Sequence, residues 1–272
     1  MKRVLSWTPL LAGVLLGLVR IVEQALAREA DTGLLISGHP AVWLLWGLTL
    51  LYVLMELVLL RPFREPVADL SCSPASPALF GVLTAGTLLI TAGGLLFFVE
   101  SATMTPGDPS LPFALAQGIF ALPSGALLMR FVLRCRQGNA FPRGGMTLLL
   151  PVLWCCLSSI RCLWDYSSDP VLDDYLPELL AILLLTIALL QLSSFCFREG
   201  KVRRTRLFLR IGTVFLLLSV FGATGAALLA GTAPSLDTLF LFGSALFLWG
   251  CDRLLTLPAT TAQEPDQQET AL

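Results

Sequence analysis

The sequence predicts an all-α fold: a polytopic transmembrane helical bundle of eight spans with both termini cytoplasmic. Three observations carry that expectation. The 272 residues are 56% hydrophobic and only 14% charged, with a mean hydropathy of +0.78, whereas soluble domains carry about 25% charged residues. Apolar runs of roughly 18 to 25 residues recur eight times, each long enough to cross about 30 Å of hydrocarbon at about 1.5 Å per residue. Lys and Arg gather between alternate runs, as the positive-inside rule requires. A soluble fold this apolar would expose large greasy patches, so lipid is the expected solvent.

The runs follow in order. Trp7–Ala27 carries Pro9 near its start and Gly13-x-x-x-Gly17, a spacing that lets helices approach closely. Pro40–Leu60 opens on a proline and ends at Arg61-Pro-Phe-Arg64. Ala78–Val99 contains Ala85-Gly86 and Gly93-Gly94, again small residues for packing. Leu111–Leu133 is interrupted by Pro123-Ser124-Gly125, where a missing backbone donor predicts a kink, with a broken helix lining a site as the alternative. Met146–Trp164 holds Pro151 and Arg161; Leu172–Phe197 leads into a basic stretch; Leu207–Ala230 holds Gly222-Ala-Thr-Gly225; Ser235–Leu257 is the last. No period-two alternation competes with these runs.

Orientation follows from the basic residues. With the N-terminus inside, the cytoplasmic segments hold Lys2 and Arg3, then Arg61 and Arg64, then Arg130, Arg134, Arg136 and Arg143, then the stretch Arg198–Arg210, then Arg253. The outer loops keep only Arg28, while Arg20 and Arg161 remain within spans. Losing one span would flip every later loop and spoil this bias. The basic stretch supplies Arg198, Lys201, Arg203, Arg204, Arg206 and Arg210. Between two spans, and without an aromatic platform for bases, it reads as a cytoplasmic anchor on anionic lipid and not as a nucleic-acid site. Lys2-Arg3, the first apolar run and Ala25-Leu26-Ala27 imitate a signal peptide, but Arg20 and Glu23 interrupt it. The first run is therefore expected to stay as a span.

The organisation expected is one transmembrane domain over 1–257 and a disordered cytoplasmic tail over 258–272, polar and unpatterned. Proline, arginine and acidic positions in the first and fifth runs correspond (Pro9, Arg20, Glu23; Pro151, Arg161, Asp165), which points to a 4+4 parallel repeat, about 1–140 and 141–257.

Absences narrow the chemistry. GxxxxGKS/T, HExxH and GxSxG do not occur, one histidine serves the whole chain, and no lysine lies in a span. Seven cysteines with no CxxC pair read as small apolar filler. Ser158-Ser159 and Ser193-Ser194 lack an evident base and are expected to bond their own helix backbones. No enzyme activity, metal or cofactor is expected.

Charges within spans are costly and normally face the bundle interior. Arg20 and Glu23 share a helix face at i,i+3, and Arg161 and Asp165 at i,i+4. By the topology these lie in the outer part of the membrane with Glu178 and Gln117, and with Glu100 and His39 at the outer span ends. The sharp expectation is an outward-facing polar pocket of Arg20, Glu23, Gln117, Arg161, Asp165 and Glu178, the arginines holding an anionic small molecule or ion. The plainer one is that the same residues form interhelical salt bridges or snorkel to the interface. Glu56, near the inner end of its span, is expected to pair with Arg130 or Arg210, with proton relay as the alternative.

Leu18-Val-Arg20 with Asp31-Thr-Gly33-Leu-Leu, and Tyr175-Leu-Pro-Glu178 running into Phe197-Arg-Glu-Gly-Lys-Val-Arg-Arg204, resemble segments of uncharacterised multi-pass bacterial membrane proteins. The resemblance implies a cell-membrane location and no particular activity. Two functions stay open: a small-solute or ion transporter or ligand-binding membrane protein, and a non-catalytic subunit or scaffold with a membrane-protein partner or a second copy of itself.

Overall fold

The computed structural model describes residues 6–29, 36, 38–60, 75–104, 110–141, 146–165, 172–233 and 237–256, with the side chains of 165 and 172–174 excepted. Lys2, Arg3, Arg61, Arg64, Cys72, Arg143, Asp108 and the tail 258–272 lie outside the described residues, as do the side chains of Asp165, Asp173 and Asp174.

Eight α-helices are present among them: α1 Thr8–Ala27, α2 Pro40–Leu59, α3 Pro77–Ser101, α4 Leu111–Arg136, α5 Leu149–Asp165, α6 Leu172–Ser194, α7 Val202–Ala230 and α8 Asp237–Thr256. A 3₁₀ turn, Phe195–Phe197, extends α6. Prolines sit in the first turn of α1, α2, α3 and α4, where the missing N–H has no intrahelical partner to lose. His39 Nδ1 accepts from Ala41 N and Ser76 Oγ from Leu79 N, capping α2 and α3. Seven helices are long and apolar enough to cross a membrane; α5, at 17 residues, is the shorter exception.

The chain is an integral-membrane type of bundle by its amphipathy. On α1 the outward stripe is Leu11, Leu15, Leu18, Val22 and Leu26, all exposed, while the buried face is Gly13, Leu16, Gly17, Arg20, Glu23 and Gln24. Apolar outside and small or polar inside is the pattern expected where lipid is the solvent.

Helices α3 to α8 each pack on the next, and α8 returns to α3, closing a circuit of six. Trp154, Leu128, Leu185, Phe240 and Phe247 fill its middle. Helix α1 packs outside this circuit on α7, with α2 against α1 and the edge of α7. Small residues set both close crossings. Gly13 and Gly17 seat Leu217 and Phe221 of α7, and Gly222 lies against Arg20. A Cβ on Gly243 would stand 2.7 Å from Ile90 N and 2.9 Å from Gly86 O, so α3 and α8 meet backbone to backbone.

Successive helices alternate in direction, whereas the packed pair α1 and α7 runs parallel; the bundle thus has a basic end (Arg134, Arg136, Arg198, Lys201, Arg203, Arg204) and an acidic end (Glu100, Glu178, Asp237). Short as it is, α5 covers the full height. Just before it Thr147 Oγ1 accepts from Arg134 at 3.2 Å, and near its far end Arg161 reaches Glu100. Two features differ from the sequence reading beyond small shifts of helix ends. The helix predicted from Leu207 begins at Val202, because Arg206 and Arg210 are neutralised by buried acids. Helix α4 runs unbroken through Pro123, and Gly125 there lies against Thr91 of α3, so this segment is not a broken helix.

Candidate functional site

A cavity of about 170 Å³ lies at the acidic end of the six-helix circuit. Its walls come from five helices: Phe97 of α3, Gln117 of α4, Ser158, Arg161 and Cys162 of α5, Glu178 and Ile182 of α6, and Asp237, Phe240 and Leu241 of α8. Arg161 organises it. Its Nη1 donates to Gln117 Oε1 at 3.0 Å, its Nη2 donates to Glu100 Oε2 at 2.9 Å, and its guanidinium stacks 4.6 Å from the Phe97 ring centroid. The Arg161 side chain is nearly enclosed, whereas Glu100 remains 37% exposed and marks the open side. Ser158 turns its hydroxyl back to Trp154 O, which leaves the wall there lightly polar. Trp154 and Phe240 pack edge to face, with centroids 5.4 Å apart, and close the cavity from below. Beneath them, a pocket lined by Trp154, Phe240 and Phe247 holds only about 10 Å³.

The charge balance of this cavity is unequal. Among the described residues, Glu100, Glu178 and Asp237 stand around the single guanidinium of Arg161. Such a mouth, with low-dielectric walls, concentrates cations.

Of the six residues expected in one pocket, Gln117, Arg161 and Glu178 meet here. Arg20 and Glu23 do not line it. Arg20 Nη1 donates to both carboxylate oxygens of Glu23, at 2.8 and 2.7 Å, within α1 and against Gly222 of α7. The side chain of Asp165 is outside the described residues. His39 caps α2.

The chain matches no protein-family model, no curated protein and no solved structure.

A second polar cluster, at the basic end, joins α1, α2, α7 and α8. Arg210 Nη1 binds Glu56 Oε2 and its Nη2 binds Thr8 Oγ1, each at 2.5 Å; Thr8 Oγ1 also donates to Glu56 Oε1 at 3.3 Å. Arg206 Nε donates to Asp252 Oδ1 at 2.9 Å, and Asp252 Oδ2 lies 3.6 Å from Arg210 Nε. Tyr52, one turn before Glu56 on the same face, is buried with them. Of the two partners expected for Glu56, the structure selects Arg210. Arg206 and Arg210 accordingly serve as internal ion-pair partners and not as lipid anchors. Asp252, Thr8 and Tyr52 were not singled out by sequence reasoning: Asp252 stands beside Arg253 near a span end, where a charge is unremarkable, and hydroxyl residues in spans are common. No group of three or more potential metal ligands occurs among the described residues. The serine pairs bond back to their own helices, as expected.

Proposed function

We propose that this is an eight-span membrane protein of the cell membrane, with both termini cytoplasmic, that binds or transports a small solute through the Arg161 cavity on its outer face. Three carboxylates around one engaged guanidinium, in an open-sided cavity, carry this reading. That balance favours a small organic cation or a zwitterion over the anion that arginine alone would call for. Arg161 offers a fixed, stacked charge for an acid group, while Glu178 and Asp237 face a positive one. The eight-crossing topology is supported by α5, which covers the bundle height despite its length, and by the basic residues at one end.

Its test is a binding titration on the protein in lipid nanodiscs, with small alkylammonium ions, neutral amino acids and monocarboxylates as probes. Cations or zwitterions should bind, and Glu178→Gln with Asp237→Asn should weaken them by about tenfold or more, about 1.4 kcal/mol. Unchanged affinity in a folded double variant, or preference for monocarboxylates, overturns the solute class. Flux into proteoliposomes separates transport from binding alone. The second reading, a non-catalytic subunit, draws on α2, whose lipid-side surface is the least covered of the candidate spans. It gains if no probe binds and a membrane partner co-purifies through α2.

A further inference from the structure

We infer that the cleft between the end of α2 and the start of α7 is a binding site for an anionic phospholipid. The cleft encloses about 230 Å³ and is lined by Leu57, Leu60, Leu207, Arg203 and Arg204. Among the described residues the lining is three leucines and two arginines with no carboxylate, which matches an amphipathic ligand with a negative head.

The charges on α7 divide by face. Arg206 and Arg210 point into the bundle and are neutralised by Asp252 and Glu56. Arg203 and Arg204, one turn or two earlier, have no ion pair among the described residues. They also stand where cations are least favoured. They occupy the first turn of α7, which contains no acidic residue, and the Lys201 side chain makes no capping bond. The positive end of the helix dipole and two arginines therefore add in one place. A phosphate group relieves both, since helix N-termini and arginine forks each favour it.

The apolar half of the ligand has a track. Leu50, Leu54 and Leu57 lie at i, i+4 and i+7 on α2, on one face, and are exposed. This stripe runs from the cleft toward the middle of the bundle. A headgroup held at Arg203 and Arg204 would lay an acyl chain along it. A free phosphate would use the arginines and leave the leucines bare, so the lining points to a lipid.

Native mass spectrometry on the full chain, with phosphatidylglycerol and phosphatidylcholine of identical acyl chains, tests the site. Phosphatidylglycerol should be retained preferentially and should raise the unfolding temperature where phosphatidylcholine and inorganic phosphate do not. R203Q with R204Q should lower the preference by about tenfold or more, on the scale of two basic side chains at an anionic surface. R130Q with R136Q, the same charge change on α4, should leave it in place. Leu57→Trp, which fills the cleft and keeps both charges, should also remove it and serves if the arginine variant does not fold. Equal retention of the two lipids, stabilisation by inorganic phosphate alone, or equal loss in both arginine pairs overturns the site.

Discussion

Glu56, Arg210 and Asp252 are fully enclosed although each carries a formal charge. A charge in a bilayer costs up to about 2.5–3.5 kcal/mol on insertion scales, most at the centre and less toward the interface, and these residues meet that cost by pairing. The arrangement is asymmetric in its consequences. Removing one member leaves a buried charge short of its closest partner, which typically costs about 3–5 kcal/mol, whereas replacing a whole pair by apolar groups is often close to neutral. Glu56→Ala should therefore destabilise the protein by about 3–5 kcal/mol in reversible unfolding from mixed micelles. Glu56→Leu combined with Arg210→Met should cost clearly less than the sum of the two single changes, because the double variant strands fewer charges. Additive costs would show that Glu56 and Arg210 are not coupled, contrary to their 2.5 Å contact.

At the scale of elements, the bundle depends on where helices touch without side chains between them. Gly86 and Gly243 place α3 and α8 in backbone contact, whereas Gly47 of α2 and Gly81 of α3 have nothing within 4 Å of an added Cβ. The same chemical change should thus have opposite signs. Gly243→Ala should destabilise by about 1–3 kcal/mol through overpacking. Gly47→Ala or Gly81→Ala should be neutral or stabilising by up to about 1 kcal/mol, since alanine is the better helix former. Unfolding temperatures in one detergent compare all three; equal effects would contradict the close crossing.

For the whole molecule, one hairpin stands outside a closed circuit: α1 and α2 lean on α7, while α3, α4, α5, α6 and α8 wall the cavity. Loops at the basic end should report from the cytoplasm and loops at the acidic end from the other side. Fusions after Gly138 and Gly200 should give cytoplasmic reporter activity, and fusions after Thr103 and Gly231 external activity. The pair flanking α5, after Gly138 and after a site in 166–171, decides whether that helix crosses. Like-sided activity there would reduce the crossings to seven.

The sequence by itself determined the solvent and predicted the direction. Apolar runs as long as a bilayer is thick have few other uses, and arginines between alternate runs need no contact to be counted. Small-residue spacings such as Gly13-x-x-x-Gly17 also announced close helices, because close approach is a property of the missing side chain. The site was legible only in part. Arg161, Gln117 and Glu178 were found since each is polar at a similar depth, yet depth says nothing of which helices are neighbours. Arg20 shares that depth and lies on α1, outside the circuit, closed upon Glu23. Asp237 and Asp252 gained their roles only when α8 returned to α3 and α7. Insertion energies act on each segment alone and are written along the chain. Which charge meets which depends on lateral packing, where lipid and protein are almost equally apolar and only shape, small residues and buried pairs choose.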